Sequence, residues 1–165
     1  MGRDRKNEDR REAVTAMRLS VMQTPAWRAL SPTAQALYVW VKLEWRGPKF
    51  NNNGKLRLSV RQAADRMGCA NNTAARAFHD LQAKGFIIQT EGACLGMEGT
   101  GTAPAYELTE IVPAGGRGPG KNWFINWSSG HDFPIKKTPT RARPKTKPCR
   151  NNEDSTVVIL ETKRQ

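Results

Sequence analysis

The stretch from Leu58 to Ile88 constrains the fold more than any other part of this 165-residue chain. Ser59 stands just before an apolar-periodic run, with Gln62 three residues later. That spacing is a capping box, in which the two side chains satisfy orphan backbone donors at a helix start. Val60, Ala63, Ala64 and Met67 then share one helical face, and Gly68 stops the helix. A second helix is predicted from about Ala70 to Lys84, with Thr73, Ala74, Ala77, Phe78 and Leu81 as its apolar stripe. Gly85 ends it, and Phe86-Ile87-Ile88-Gln89-Thr90 reads as a strand.

The flanks extend this pattern. Thr24-Pro25 and Ser31-Pro32 are helix starts, since Thr and Ser cap and proline is tolerated at the first helical position. Ala34, Leu37, Tyr38, Val41 and Trp45 predict a helix over about 32–46, which Gly47-Pro48 stops. Upstream, Ala13 to Met22 suggest a short docking helix, and Trp27 and Leu30 should point inward. Asn51-Asn52-Asn53-Gly54 is a turn, and Lys55-Leu56-Arg57-Leu58 alternates as a short strand. A glycine-rich stretch, Glu91 to Pro104, separates the strand at 86–90 from a returning strand at Ala105 to Thr109. The expected fold is therefore mainly α with a small antiparallel β wing.

Leu58-Ser59, Ala63-Ala64, Met67-Gly68-Cys69, Asn72-Thr73-Ala74 and Leu81-x-x-x-Gly85-Phe86-Ile87 together resemble the winged helix-turn-helix of GntR-type and MarR-type bacterial regulators. Trp27 to Pro32 is similar to small winged-helix proteins of plasmids, phages and other mobile elements. The resemblance covers about half the chain. It departs at Ala70, where that family often has a capping serine, so that Asn71 or Asn72 is expected to cap instead. It implies sequence-specific binding of double-stranded DNA by a bacterial or mobile-element transcription regulator.

Charge points the same way. The net charge is +12 and the sequence pI about 10.2. Such a balance speaks of a polyanionic partner. Residues 1–12 carry net +1, residues 13–112 net +4 and residues 113–165 net +7. The reading divides the chain into a solvated arm (1–12), a winged-helix domain (13–112), a Gly-rich linker with an aromatic patch (113–133) and a basic, proline-rich tail (134–165). The run from Pro134 to Arg150 holds seven basic residues, four prolines and no acid, a composition expected to stay disordered. Ser155 to Leu160 is a β-prone island without an assigned role. Three cysteines with no CxxC spacing suggest neither a disulfide framework nor a zinc site. No apolar run approaches the roughly 20 residues that span a bilayer, and the charged N-terminus lacks the apolar core of a signal peptide. These features lead to a cytoplasmic, nucleoid-associated protein.

The second helix of such a motif enters the major groove with its N-terminal residues at the base edges. Asn71, Asn72, Thr73, Ala75, Arg76 and His79 occupy that face here. Asn bonds adenine and Arg guanine bidentately, while Thr reaches a phosphate or a thymine methyl. Lys55, Arg57, Ser59 and Arg61 stand around the preceding helix start and are phosphate candidates. Lys136, Lys137, Arg141 and Arg143 begin the tail that would neutralise further phosphates. The wing is the weak part, with two glutamates and no Lys or Arg.

Gly115 to Lys121 has the G-x-x-x-x-G-K frame of a phosphate loop, but Asn122 follows where Ser or Thr is needed, so it reads as a linker. With two histidines and no catalytic spacing, no catalytic residue, metal or cofactor is expected and the chain is read as no enzyme. Trp123, Phe124 and Trp127 either complete the core or form a dimer or protein-partner surface. A homodimer on a palindrome fits the motif's habit. Two alternatives stay open: a replication-initiator or DNA-architecture protein, and a winged-helix interaction module without DNA binding.

Overall fold

The computed structural model describes residues 13–95 and 101–136. Among these residues the chain forms helices α1 (Leu19–Met22), α2 (Pro25–Arg28), α3 (Pro32–Leu43), α4 (Val60–Met67) and α5 (Asn71–Ala83). Its strands are β1 (Leu56–Arg57), β2 (Ile87–Glu91), β3 (Cys94–Leu95), β4 (Gly101–Thr102) and β5 (Ala105–Leu108), followed by a 3₁₀ turn at Trp123–Asn126. Residues 1–12, residues 96–100 of the glycine-rich stretch, and residues 137–165, including the 155–160 island, lie outside the described residues.

Local chemistry sets most boundaries. The Thr24 hydroxyl accepts from Trp27 N at 3.2 Å, and the Ser31 hydroxyl accepts from Ala34 N at 3.3 Å. The expected capping box is present: Gln62 N donates to Ser59 Oγ at 3.1 Å, and Ser59 N donates to Gln62 Oε1 at 3.0 Å. Gly68 and Gly85 close α4 and α5 with positive φ angles of 63° and 74°, which glycine adopts without a Cβ penalty.

Two expectations about helices need correction. The segment 13–22 is helical only at Leu19–Met22, and Val14 and Leu19 are exposed rather than docked. Residues 13–18 instead run without regular structure. Helix α3 also ends at Leu43, before 46. There the asparagine turn competes for its last groups: Arg46 N donates to Asn52 Oδ1 at 2.9 Å, and Asn52 Nδ2 donates to Glu44 O at 2.9 Å.

The main sheet has the order β1-β5-β2, antiparallel throughout, with Leu56 opposite Tyr106 and Ile87 opposite Leu108. The register shifts between Gln89 and Glu91, where β2 leaves toward the β3–β4 ladder. Asn53 is buried and acts as a strand surrogate. Its Nδ2 donates to Leu108 O at 2.9 Å, and its Oδ1 accepts from Leu108 N at 2.7 Å. The result is a mixed structure of helices around a small three-stranded antiparallel sheet.

Helices α3, α4 and α5 and the inner face of this sheet enclose one core, including Leu37, Tyr38, Leu56, Leu81, Phe86 and Leu108. An aromatic chain runs through it, with Trp27–Tyr38 centroids at 5.5 Å, Tyr38–Phe86 at 5.3 Å and Phe86–Phe124 at 4.9 Å. Phe124 comes from the stretch expected to be a linker with an aromatic patch. It is 2% exposed and lies parallel to Phe86, so residues beyond Val112 complete the core. Phe133 N donates to Ala83 O at 2.8 Å, and the Phe133 ring stacks on Trp123 above Gly85. A boundary at 112 thus cuts through packed structure.

Candidate nucleic-acid interface

Helix α5 sorts its residues by face. Ala74, Ala77, Phe78 and Leu81 are buried against the core. Asn71, Asn72 and Arg76 are exposed, and so is Thr73, which the sequence pattern puts on the apolar stripe but which falls outside the buried face; Ala75 and His79 are half-buried at the edge of the exposed face. The N-cap is Ala70, and no side chain caps the helix, so neither Asn71 nor Asn72 takes the role expected of it. Both asparagines stand in the first turn, next to backbone donors at the positive end of the helix dipole. Lys55 and Arg61 are also exposed. Among the described residues neither Arg61 nor Arg76 joins an ion pair.

The acid that ends this face is held elsewhere. Asp80 accepts from Ser31 N at 2.8 Å and pairs with Lys84 at 2.8 Å, bracing α5 against the start of α3. Burial disfavours its charge, but hydrogen bonds from Lys84 and Ser31 outweigh that cost and lower its pKa.

Other candidates have different surroundings. Arg57 forms an ion pair with Glu91, and its Nη1 donates to Ala103 O at 2.6 Å. It ties the end of β2 to the turn between β4 and β5 rather than standing free as a phosphate clamp. The Ser59 hydroxyl accepts from Gln62 N and donates to Gln62 Oε1, so it serves as a helix cap rather than a free donor. Lys136, assigned from the sequence to the basic tail, belongs to the fold: its Nζ donates to Gln89 O at 3.1 Å and its N–H to Gln82 Oε1 at 3.1 Å. Lys137, Arg141 and Arg143 lie outside the described residues. The patch at Trp123, Phe124 and Trp127 is not open as a whole to a partner, since Phe124 is in the core and Trp127 packs against it.

The phosphate-loop frame at 115–121 has its lysine occupied, because Lys121 pairs with Glu107 at 2.9 Å. Among the described residues no three His, Cys, Asp or Glu side chains converge as a metal site, and no helix is long and apolar enough to cross a membrane.

One cluster has no counterpart among the sequence expectations. Glu110 is buried with Lys42 and Tyr38: the Tyr38 hydroxyl donates to its Oε2 at 2.6 Å and Lys42 Nζ donates at 3.0 Å. Burial, followed by the charge of Glu110, raises the Tyr38 pKa well above the ordinary tyrosine value. The signal in the sequence is that Lys42 falls four residues after inward-facing Tyr38, on the apolar stripe of α3.

No protein-family model matches the chain, and neither a curated protein nor a solved structure matches it.

Proposed function

We propose that this chain is a winged-helix protein that binds double-stranded DNA sequence-specifically, without catalysis, as a transcription regulator of a bacterial or mobile-element operon. It would work at the nucleoid. The observation that carries the reading is the exposed first half of α5, where Asn71, Asn72, Thr73 and Arg76 stand together. Among the described residues no acid pairs with that arginine, and Asp80 is held by Ser31 and Lys84. Asparagine, arginine and threonine are the side-chain types that read adenine, guanine and thymine edges. Arg61 at the start of α4 adds a phosphate contact, and the basic tail adds charge without sequence information. A dimer on a two-fold site fits this mode of binding.

A salt series of affinity for duplex DNA tests it on the full chain. Arg76→Ala should weaken binding by about 1–3 kcal/mol, as expected for an arginine at a base edge. Arg61→Ala should lower the salt slope by about 0.9, one phosphate contact. Arg57→Ala should change binding little, since that arginine is occupied by Glu91. Binding indifferent to Arg76→Ala and Arg61→Ala would mean that neither arginine touches the duplex and that the charge of the tail holds it. That outcome favours the DNA-coating alternative.

A further inference from the structure

Beside the C-terminal end of α3 lies an open cavity of about 720 Å³, lined by none of the residues assigned above to DNA. The buried cluster around Glu110 reaches into it. The Lys42 and Glu110 side chains are 5% and 3% exposed, while Arg18, with Nε 3.4 Å from Glu110 Oε1, is 69% exposed. Lys42 Nζ also donates to Ala16 O at 2.7 Å. With Glu110 this uses two of the three ammonium donors. A smaller cavity of about 190 Å³ shares Arg18, Glu110 and Asn122 with the first.

A buried ion pair is a weak source of stability, because desolvation offsets much of the attraction. Polar side chains that converge on a cavity can instead hold a ligand. Among the described residues the cavity lining carries Arg18, Lys42 and Arg46 against the carboxylate of Glu110. Its sign is therefore positive. The carbonyl end of α3 works against an anion, but two of the three cations sit there and offset it. Gly120, on the cavity lining, packs tightly on the chain at 109–110: a Cβ there would stand 2.5 Å from the Thr109 carbonyl oxygen. Trp45 and Ile111, both partly buried, supply apolar surface.

We propose that this cavity binds a small organic anion, a carboxylate or phosphate head on a flat apolar body. Arg46, Arg18 and the free donor of Lys42 meet the head, and Trp45 lines the place of the body. The proposal is independent of DNA binding. Isothermal titration of the full chain, at constant ionic strength, tests it with phenyl phosphate and benzoate as probes and benzyl alcohol as a neutral control. The expected result is saturable one-to-one binding of at least one anion and none of the alcohol. Arg46→Ala should weaken binding about tenfold, the scale of one hydrogen bond to a charged group. Arg28→Ala removes an exposed arginine that does not line the cavity, and should leave the affinity unchanged. No saturable binding overturns the proposal. So does equal weakening by Arg46→Ala and Arg28→Ala, which would mean attraction to net charge alone.

Discussion

Asp80 and Glu110 are acids that a sequence pattern treats as surface charge, yet each is tied to a distant part of the chain. Asp80 receives the Ser31 backbone N–H and the Lys84 ammonium, which keep its folded pKa below the ordinary value of 3.8. A depressed carboxylate stabilises the fold above its unfolded pKa and loses that contribution as pH falls through the folded one. Asp80→Asn should therefore cost about 1 kcal/mol near neutrality, the scale of one net intramolecular hydrogen bond. The gap from the parent should narrow as pH drops below about 4, which urea denaturation at a series of pH values would measure. Periodicity marks which residues of α5 face inward, so Arg76 and the asparagines are legible as outward residues. It gives no sign that Arg57 is taken by Glu91, because that partnership depends on a register shift at Gln89/Glu91.

At the scale of elements, caps are legible because they are local. Ser59-x-x-Gln62, Thr24-Pro25, Ser31-Pro32 and the closing glycines Gly68 and Gly85 all do what their chemistry suggests. The end of α3 is not legible, since the side chain of Asn52 ends it from a later turn. Gly85 shows the same limit from another side. Its role as helix stop is local, but it also makes room for a ring: a Cβ there would lie 2.7 Å from Phe133. Gly85→Ala should lower stability by about 1–2 kcal/mol from the left-handed backbone alone, and by more through displacement of Phe133. Chemical denaturation would read the loss. Gly54→Ala is the comparison, with a positive φ of 95° and open space around the added Cβ, and should show the backbone cost only.

For the whole molecule, the aromatic segment after Val112 decides what counts as the domain. Glycines and prolines at 113–120 suggest a linker, and composition alone cannot reveal that the following rings return to the core. Phe124→Ala should cost about 3–5 kcal/mol, as for other buried phenylalanines, read as a lower unfolding midpoint. A chain shortened to end at Lys136 should keep that midpoint, because the core and the hydrogen bonds of Lys136 are retained. The same shortened chain should bind duplex with a shallower salt dependence, by about 0.9 for each phosphate that the tail neutralises. Together these outcomes separate what folds the protein from what attracts it to a polyanion.

The central claim is that the exposed face of α5 reads DNA sequence. The most direct measurement is selection of bound duplexes from a randomised pool, run in parallel with the full chain and its Arg76→Ala variant. The account predicts one enriched motif for the parent chain and relaxed preference at a single base pair for the variant. A pool that yields no motif, or one that Arg76→Ala leaves intact, would contradict it.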